Sequence, residues 1–211
     1  EHNMRIVNPV MIKDISGRIL NNEPVGITGN DKYKNLLKVT EERWNGQIKY
    51  TDNSNNEYES GVQIITGKDD KIVFKRTLKL VPQELAVGIG CKKGKSANEI
   101  ERAVKKTFDK AGLLLEAIAV VASVDRKADE AGIIEFARKC KVPYKTYTPE
   151  YLRDVEGDFV SSAFVEEQIG VGNVCERSAS AASAGGEKLV GKTADNGVTV
   201  AIYRVAQKNK E

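Results

Sequence analysis

The sequence predicts an α/β protein, in which a mixed sheet with helices on both faces follows a smaller α/β domain. Three observations support this fold class. Apolar runs alternate with amphipathic segments after Pro82, an Asn-Gly pair near the end marks a β-hairpin, and the composition changes near Val81 from Asn-, Lys- and Glu-rich to apolar. We therefore expect two domains, residues 1–82 and 83–211.

The first domain contains short apolar pieces separated by turn residues. Residues 31–44 predict a helix with Leu36, Leu37 and Val39 facing inward, whereas TDNSNNEYES at 51–60 is typical of a polar loop. No recognisable catalytic motif occurs in this domain. Its predicted strands are VGIT (25–28), GVQIIT (61–66), and one or two more in KIVFK (71–75) and TLKL (77–80).

The second domain begins with LAVGIG (85–90), an apolar run typical of a strand that is covered on both faces. Ser96 and Glu99 have the spacing of a capping box, and apolar residues then recur at helical spacing until Gly112. AIAVVAS (117–123) predicts a second buried strand.

The alternation of helices and strands continues to the end of the chain. A helix is expected from near Asp129 to Cys140. ERSASAASAGG (176–186) predicts a helix packed closely on the sheet, because alanine dominates it and glycine comes only at its end. The remaining predicted elements are a strand at 142–147, a helix starting at Thr148-Pro149, a short helix at 162–170, and a hairpin of KLVGKT and VTVAIYRV around Ala194-Asp195-Asn196-Gly197.

Composition and charge exclude several classes of function. The chain has 211 residues, 40% hydrophobic and 30% charged, as in an ordinary globular protein, and no apolar run is long enough to span a bilayer. The N-terminus, EHNMRIVNPV, lacks the regions of a signal peptide, so we expect a cytoplasmic protein without membrane partners. The net charge of +3 is too small to indicate nucleic-acid binding, but Lys92, Lys93 and Lys95 form a cluster that suits a small anion.

Cysteine and histidine usage restricts the chemistry. Cys91, Cys140 and Cys175 are odd in number and widely spaced, which argues against a disulfide framework and against a zinc site, so no metal site is expected. The only histidine, His2, lies at the N-terminus. The acid or base of any catalytic site in these residues must therefore be a carboxylate, lysine, tyrosine or cysteine.

The stretch GIGCKKGKS (88–96) resembles a phosphate-binding P-loop but has the wrong spacing. A P-loop has four residues between its first glycine and the Gly-Lys-Ser triplet. Gly90 is one residue too close to Gly94, and Gly88 is one too far. We interpret the stretch as a strand-to-helix turn, whose helix N-terminus still attracts anions.

Ligands of open α/β sheets bind outside the carboxyl ends of the strands. Two such ends are predicted, GIGCKKGKS after one strand and SVDRKADEAG (123–132) after the next, and adjacent strands would bring these loops together. The loops offer as cations Lys92, Lys93, Lys95, Arg126 and Lys127, and as candidate bases Asp125, Asp129 and Glu130.

Structural roles compete with these functional ones. Asp129 is also a candidate helix cap, and exposed charges such as Arg126 and Lys127 are more often solvated than functional. Cys91 lies beside lysines at a helix N-terminus, an environment that lowers the pKa of a thiol. Because no histidine pairs with it, we interpret Cys91 as a packed small residue rather than a nucleophile.

Five segments, in order, resemble one family. They are LAVGIGCKKGKS, VASVDRKADEAGIIEFA, VPYKTYTPEYL, GVGNVCERSASAASAG and VTVAIYRV. They resemble the C-terminal domain of the cobalamin biosynthesis protein CbiG and its stand-alone relative CobE, from Leu80 to Val205, and the region before Val81 resembles the less distinctive central domain of CbiG. The family's loop commonly carries two arginines where this chain has Lys92 and Lys93, which keeps the charge but loses the bidentate contacts.

The resemblance implies a function in the anaerobic route to vitamin B12. CbiG enzymes open the δ-lactone of cobalt-precorrin-5A and release acetaldehyde, giving cobalt-precorrin-5B. The implied partners are an anionic cobalt-corrinoid intermediate and other cobalamin pathway enzymes. Cobalt comes with the substrate, so no separate cofactor is implied. If the chain assembles, a homodimer is the commonest outcome.

Lactone opening needs a base that activates water and a cation that faces the tetrahedral oxyanion. Our hypothesis is that Asp125 or Glu130 is the base and that Lys127 or Lys92 faces the oxyanion. The residues expected to bind substrate are Gly90, Cys91, Lys92, Lys93, Gly94, Ser123, Arg126 and Glu176.

A second function, of a different class, stays open. Full-length CbiG has a further N-terminal domain for which these 211 residues have no room. In this alternative the chain binds a tetrapyrrole intermediate and hands it over without turnover, as a CobE-like module. A third and less favoured hypothesis, nucleotide binding through Gly94-Lys95-Ser96, predicts ATP or GTP binding that is lost in Lys95→Ala.

Overall fold

Two five-stranded mixed sheets organise the chain, in agreement with the predicted fold class. The computed structural model describes residues 3–44, 46–52, 54, 57–68, 70–159 and 172–206. The chain divides into two compact units, Glu1–Gln83 and Glu84–Glu211, each with one of the sheets. The short helix predicted at 162–170 lies outside the described residues.

The N-terminal unit has the strand order β1-β5-β4-β2-β3, in which β1 is antiparallel to β5 and the other pairs are parallel. A 3₁₀ turn, Asp31–Tyr33, precedes α2. Its elements are β1 (Met4–Ile6), α1 (Met11–Leu20), β2 (Val25–Thr28), α2 (Lys34–Arg43), β3 (Ile48–Tyr50), β4 (Ser60–Ile64) and β5 (Arg76–Pro82).

The strand predicted for KIVFK is wrong, because the Gln63 side chain bonds to the backbone groups that a neighbouring strand would pair. Residues 71–75 are not in a strand. The buried Gln63 amide donates to the Lys71 carbonyl at 2.8 Å, and its oxygen accepts from the Val73 amide at 3.1 Å. The ring of Phe74 then fills the space above the paired glycines Gly26 and Gly61, where an added Cβ would come within 2.4 Å of it. The elements β1, α1 and β3 were not predicted. Val39, expected to face inward on α2, is 55% exposed, because two positions along a helix from the buried Leu37 is the opposite side.

The C-terminal unit has the strand order β8-β7-β6-β10-β9. The pairs β6–β7 and β7–β8 are parallel, and β10 is antiparallel to both β6 and β9. Its elements are β6 (Leu85–Cys91), α3 (Ala97–Lys110), β7 (Ile118–Val124), α4 (Ala131–Cys140), β8 (Tyr144–Tyr147), α5 (Pro149–Asp154), α6 (Val174–Ser183), β9 (Lys188–Asp195) and β10 (Val198–Arg204).

The helices of this unit cover both faces of the sheet. On one face α3 and α4 pack against each other, and on the other α6 packs against β6, β7 and β10. The small-residue helix does lie close on the sheet: a Cβ at Gly88 would be 1.8 Å from the Cys175 carbonyl oxygen. Only a glycine admits the α6 backbone at this distance.

Local signals explain the helix and turn boundaries. The capping box of Ser96 and Glu99 is present, with both reciprocal hydrogen bonds, and it starts α3. Asn196 and Gly197 both have positive φ, as a tight hairpin turn requires. Asp129 does not cap α4, because Glu130 occupies the N-cap position and makes no side-chain capping bond there.

Candidate functional site

The carboxyl ends of β6, β7 and β8 lie at one edge of the C-terminal sheet, which we call the carboxyl edge. The three strands are parallel neighbours, so the loops after Cys91, Val124 and Tyr147 leave the sheet side by side. Helices α3 and α4 follow the first two loops. On the other face α6 also begins here, because Val174 packs against Val124. Helix N-termini carry partial positive charge, which favours an anionic ligand.

The loop 92–96 after β6 is held by contacts on two sides. The Lys92 amide donates to the Gly197 carbonyl at 2.9 Å, so the β9–β10 turn supports it. On the other side Gly132 lets the loop approach α4, since a Cβ there would be 2.0 Å from the Lys95 carbonyl oxygen. Gly94 has φ +81°, which suits glycine.

Glu130 joins the two loops through both carboxylate oxygens. Its Oε1 accepts from the Gly94 amide at 2.8 Å, and its Oε2 accepts from Lys127 Nζ at 2.8 Å. The Glu130 and Lys127 side chains are 9% and 15% exposed. We call this arrangement of Gly94, Lys127 and Glu130 the clamp.

The clamp holds Glu130 in its charged form. Burial would raise the pKa of this carboxyl, but hydrogen bonds from Lys127 and the Gly94 amide, with the charges of Lys127 and Lys93, lower it below its usual range. A carboxylate with a lowered pKa and both oxygens occupied is a weak base. The geometry therefore gives Glu130 a loop-organising role.

Asp125 differs from Glu130 although both follow β7. It begins the 3₁₀ turn Asp125–Lys127 and is exposed. Its carboxylate has no hydrogen-bond or ion-pair partner within the described part of the chain. Of the two predicted bases, Asp125 thus has free oxygens at the carboxyl edge.

The lysines of the cluster fall into two groups. Lys95 pairs with Glu99 at 2.7 Å, and this hydrogen bond, with those from Ser96, lowers the pKa of Glu99 to about 2. Lys92 and Lys93 are exposed, as is Arg126 on the neighbouring loop. The exposed cations are the ones placed to meet an anion.

Cys91 and Tyr144 lie beneath the clamp. Burial raises the pKa of the Cys91 thiol and outweighs the lowering by Lys127 and Lys95, so the expected reactive environment is absent. The Tyr144 hydroxyl donates to the Lys127 carbonyl at 2.8 Å, and burial raises its pKa to about 12. Tyr144 was not predicted as a site residue, since nothing in VPYKTY shows that its side chain reaches the next loop.

Other predicted binding residues have internal partners. Ser123 is fully buried and donates to the Ile89 carbonyl at 2.7 Å. Glu176 is 2% exposed, and its oxygens accept from Asn173 Nδ2 at 2.9 Å and from the Lys192 amide. Position 90 suits glycine, because an added Cβ would lie 2.6 Å from Thr199 Oγ1. Ser123 and Gly90 support the carboxyl edge from inside the sheet, and Glu176 does so from helix α6.

The described residues lack two further features. No group of three or more histidine, cysteine, aspartate or glutamate residues there could hold a metal ion. None of the helices described is both long and apolar enough to cross a membrane.

Comparison with protein families identifies the C-terminal unit. The profile described as "Cobalamin synthesis G C-terminus" matches residues 85–203, more than half of the chain. The chain belongs to this family. The match includes all three loops of the carboxyl edge, the clamp and α6, which confirms the resemblance of the C-terminal segments seen in the sequence.

Curated relatives carry consistent names. The chain is 36% identical over 125 residues to the cobalt-precorrin-5A hydrolase of Salmonella typhimurium, covering 59% of this chain and 35% of that protein. It is 30% identical over 145 residues to the probable cobalt-precorrin-5A hydrolase of Methanocaldococcus jannaschii, covering 63% of this chain and 44% of that protein. The chain therefore spans less than half the length of these two relatives.

A solved structure matches the fold of the C-terminal unit. CobE, a protein from the cobalamin biosynthetic pathway, is 29% identical with a TM-score of 0.55. The match covers 60% of this chain and 93% of CobE.

Proposed function

We propose that the chain acts in cobalamin biosynthesis by binding an anionic cobalt-corrinoid intermediate at the carboxyl edge and opening the lactone of cobalt-precorrin-5A. The relatives' names give hydrolysis of cobalt-precorrin-5A, the lactone as the bond that opens is what the family resemblance implies, and the geometry of the carboxyl edge supports both. The observation that carries the proposal is the exposed carboxylate of Asp125, which has no hydrogen-bond or ion-pair partner among the described residues and lies in the same loop as Lys127 and Glu130 of the clamp.

Binding follows from charge. A corrinoid precursor carries several acetate and propionate carboxylates, and Lys92, Lys93 and Arg126 offer exposed cations on two adjacent loops. The N-termini of α3, α4 and α6 add partial positive charge at the same edge. Lysines contact a carboxylate as point charges, so several contacts together, rather than one bidentate pair, would orient the ligand.

The catalytic roles are assigned by which of the two carboxylates, Asp125 or Glu130, lacks a partner among the described residues. In the proposed step Asp125 accepts a proton from water, and the resulting hydroxide attacks the lactone carbonyl to give a tetrahedral oxyanion. Lys127, oriented by Glu130, or the exposed Lys92 faces that negative charge. Collapse breaks the ring C–O bond of the lactone and leaves an alkoxide. The alkoxide becomes the carbonyl of acetaldehyde as its C–C bond to the macrocycle breaks, and the macrocycle carbon that keeps the electron pair takes the proton back from Asp125. Cobalt arrives with the substrate, and no cofactor is assigned to the protein.

The test is anaerobic incubation of the 211-residue chain with cobalt-precorrin-5A. We expect acetaldehyde release together with a corrinoid of the mass of cobalt-precorrin-5B. An unchanged corrinoid mass in the presence of saturating protein would contradict the hydrolytic proposal.

A second candidate function is binding and handover of the intermediate without turnover. It is favoured by the similarity to CobE, nearly all of which this chain covers. The same incubation separates the two functions, because a handover module binds cobalt-precorrin-5A and returns it unchanged.

A further inference from the structure

A stacked pair of tyrosines lies at the carboxyl edge and has no role in the proposed hydrolysis. Tyr147 is the last residue of β8, and Tyr151 lies in the first turns of α5. Their ring centroids are 5.3 Å apart, and the ring planes differ by 15°. This is the geometry of an offset stack.

The inner ring of the pair is fixed by packing. Tyr147 lies against the buried cluster of Val124, Leu152 and Val174. The backbone of Tyr151 is also held, because its amide donates to the Thr148 hydroxyl at 3.2 Å in the N-terminal cap of α5. A ligand would therefore meet an aromatic surface that is already ordered, which reduces the entropy cost of binding.

The outer ring is open. Tyr151 is 53% exposed, more than Trp44 at 43%. Tyr147 covers one side of the outer ring, and a flat conjugated ligand on the other side would continue the stack. Because Tyr151 stays 53% exposed, its ring contributes little to the free energy of folding.

The pair lies close to the free carboxylate and to cations. The strand register places Tyr147 beside Val124, the residue immediately before Asp125. The pKa of Glu150, the residue before Tyr151, is lowered mainly by hydrogen bonds from the Glu150 backbone amide and from Thr148. The charges of Arg153 and Arg126 lower it further, by a smaller amount.

We propose that Tyr151, supported by Tyr147, is a stacking platform for the flat face of the tetrapyrrole macrocycle. The inference rests on the proposed function, since it names a contact for the same substrate. It adds an aromatic contact to the charge contacts at the carboxyl edge, and it places the macrocycle over the end of β8 with the lactone toward Asp125.

The experiment measures the affinity for cobalt-precorrin-5A by anaerobic absorbance titration. We expect Tyr151→Ala to weaken binding about tenfold, the size of a lost stacking contact. Tyr151→Phe keeps the ring and should bind like the unsubstituted chain. Trp44→Ala is the matched control, because it removes an exposed aromatic ring from the N-terminal unit. Should Tyr151→Ala misfold by circular dichroism, Tyr151→Leu replaces it.

A second ligand separates stacking from charge. Butanetetracarboxylate has carboxylates but no flat ring, so Tyr151→Ala should bind it as well as the unsubstituted chain does. Unchanged affinity of Tyr151→Ala for cobalt-precorrin-5A would overturn the platform alone, as would equal weakening for both ligands. Absence of cobalt-precorrin-5A binding by the unsubstituted chain would instead overturn the proposed function, and the platform with it.

Discussion

Both sheets of this protein are five-stranded and mixed, but the loops at the carboxyl ends of their parallel strands differ chemically. In the N-terminal unit the loops after β2 and β4 bond to each other: Asn30 Nδ2 donates to Thr66 Oγ1 at 3.2 Å, and the carboxylate of Asp70 accepts from the Thr66 amide at 2.6 Å. In the C-terminal unit the corresponding loops carry exposed cations, the clamp and the carboxylate of Asp125, which has no partner among the residues described. A parallel sheet thus provides the place for a site, and the loop side chains decide whether it can bind.

The same contrast applies to the glycines of the central strands. Gly88 in β6 faces the backbone of α6, whereas Gly61 in β4 faces the ring of Phe74. A ring can rotate or shift, but a helix backbone moves only with the whole helix. The C-terminal sheet is therefore the less tolerant of the two.

The largest expected effect is on catalysis. Asp125→Asn removes the proposed base and should slow acetaldehyde release about a hundredfold to ten-thousandfold, the usual contribution of a general base. Asp52→Asn is the control, since Asp52 follows β3 in the N-terminal unit and bonds to the Ser54 amide. Equal rates for Asp125→Asn and the unsubstituted chain would remove Asp125 from the mechanism.

Gly88→Ala tests the close approach of α6. Its Cβ would lie 1.8 Å from a backbone oxygen, and we expect a loss of about 3 kcal/mol in the free energy of unfolding, measured with urea. Gly61→Ala meets only the Phe74 ring and should cost about 1–2 kcal/mol. A reversed order of the two losses would contradict the comparison of the sheets.

Glu130→Gln tests the clamp. We expect a loss of about 1–2 kcal/mol at neutral pH, because the charge-assisted bond to Lys127 is lost. The folded-state pKa of Glu130 is lowered, so its contribution is present above the ordinary glutamate pKa of about 4.3 and disappears as the pH falls through the lowered value. Urea unfolding at pH 7 and in acid measures this. A difference between Glu130→Gln and the unsubstituted chain that is the same at both pH values would contradict the assignment.

Ser96→Ala has the smallest expected effect. It removes one half of the capping box of α3 and should cost about 1 kcal/mol in thermal or urea unfolding. Ser96→Thr, which keeps a hydroxyl, serves as its control. The helices α1 and α2 of the N-terminal unit have no side-chain cap of this kind among their described residues. The capping box is therefore a local signal of the C-terminal unit.

The sequence predicts the C-terminal unit better than the N-terminal one for a physical reason. Buried parallel strands such as 85–90 are continuous apolar runs, and the capping box and Asn196-Gly197 are local signals. The strand predicted for 71–75 failed because the side chain of Gln63 takes the place of a backbone partner. Such a substitution depends on one side chain eight to ten residues away and leaves no pattern within the segment itself.

The candidate site shows the same limit. The two loops could be placed together from strand adjacency, and the cations could be named from the sequence. The sequence left Asp125 and Glu130 equivalent, since both lie on one short segment. The two carboxylates differ because Glu130 alone bonds to the Gly94 amide and to Lys127. Tyr144, on β8, bonds to the Lys127 carbonyl. These contacts exist only in the folded chain, so the sequence could not separate Asp125 from Glu130.

The location of the ligand is the central claim, and lysine footprinting tests it most directly. The chain is acetylated with and without saturating cobalt-precorrin-5A under anaerobic conditions, and the modified lysines are quantified by mass spectrometry. We predict that the ligand protects Lys92 and Lys93, which are exposed at the carboxyl edge, and leaves the exposed Lys13 and Lys38 of the N-terminal unit reactive. Full reactivity of Lys92 and Lys93 in the bound state would contradict the account.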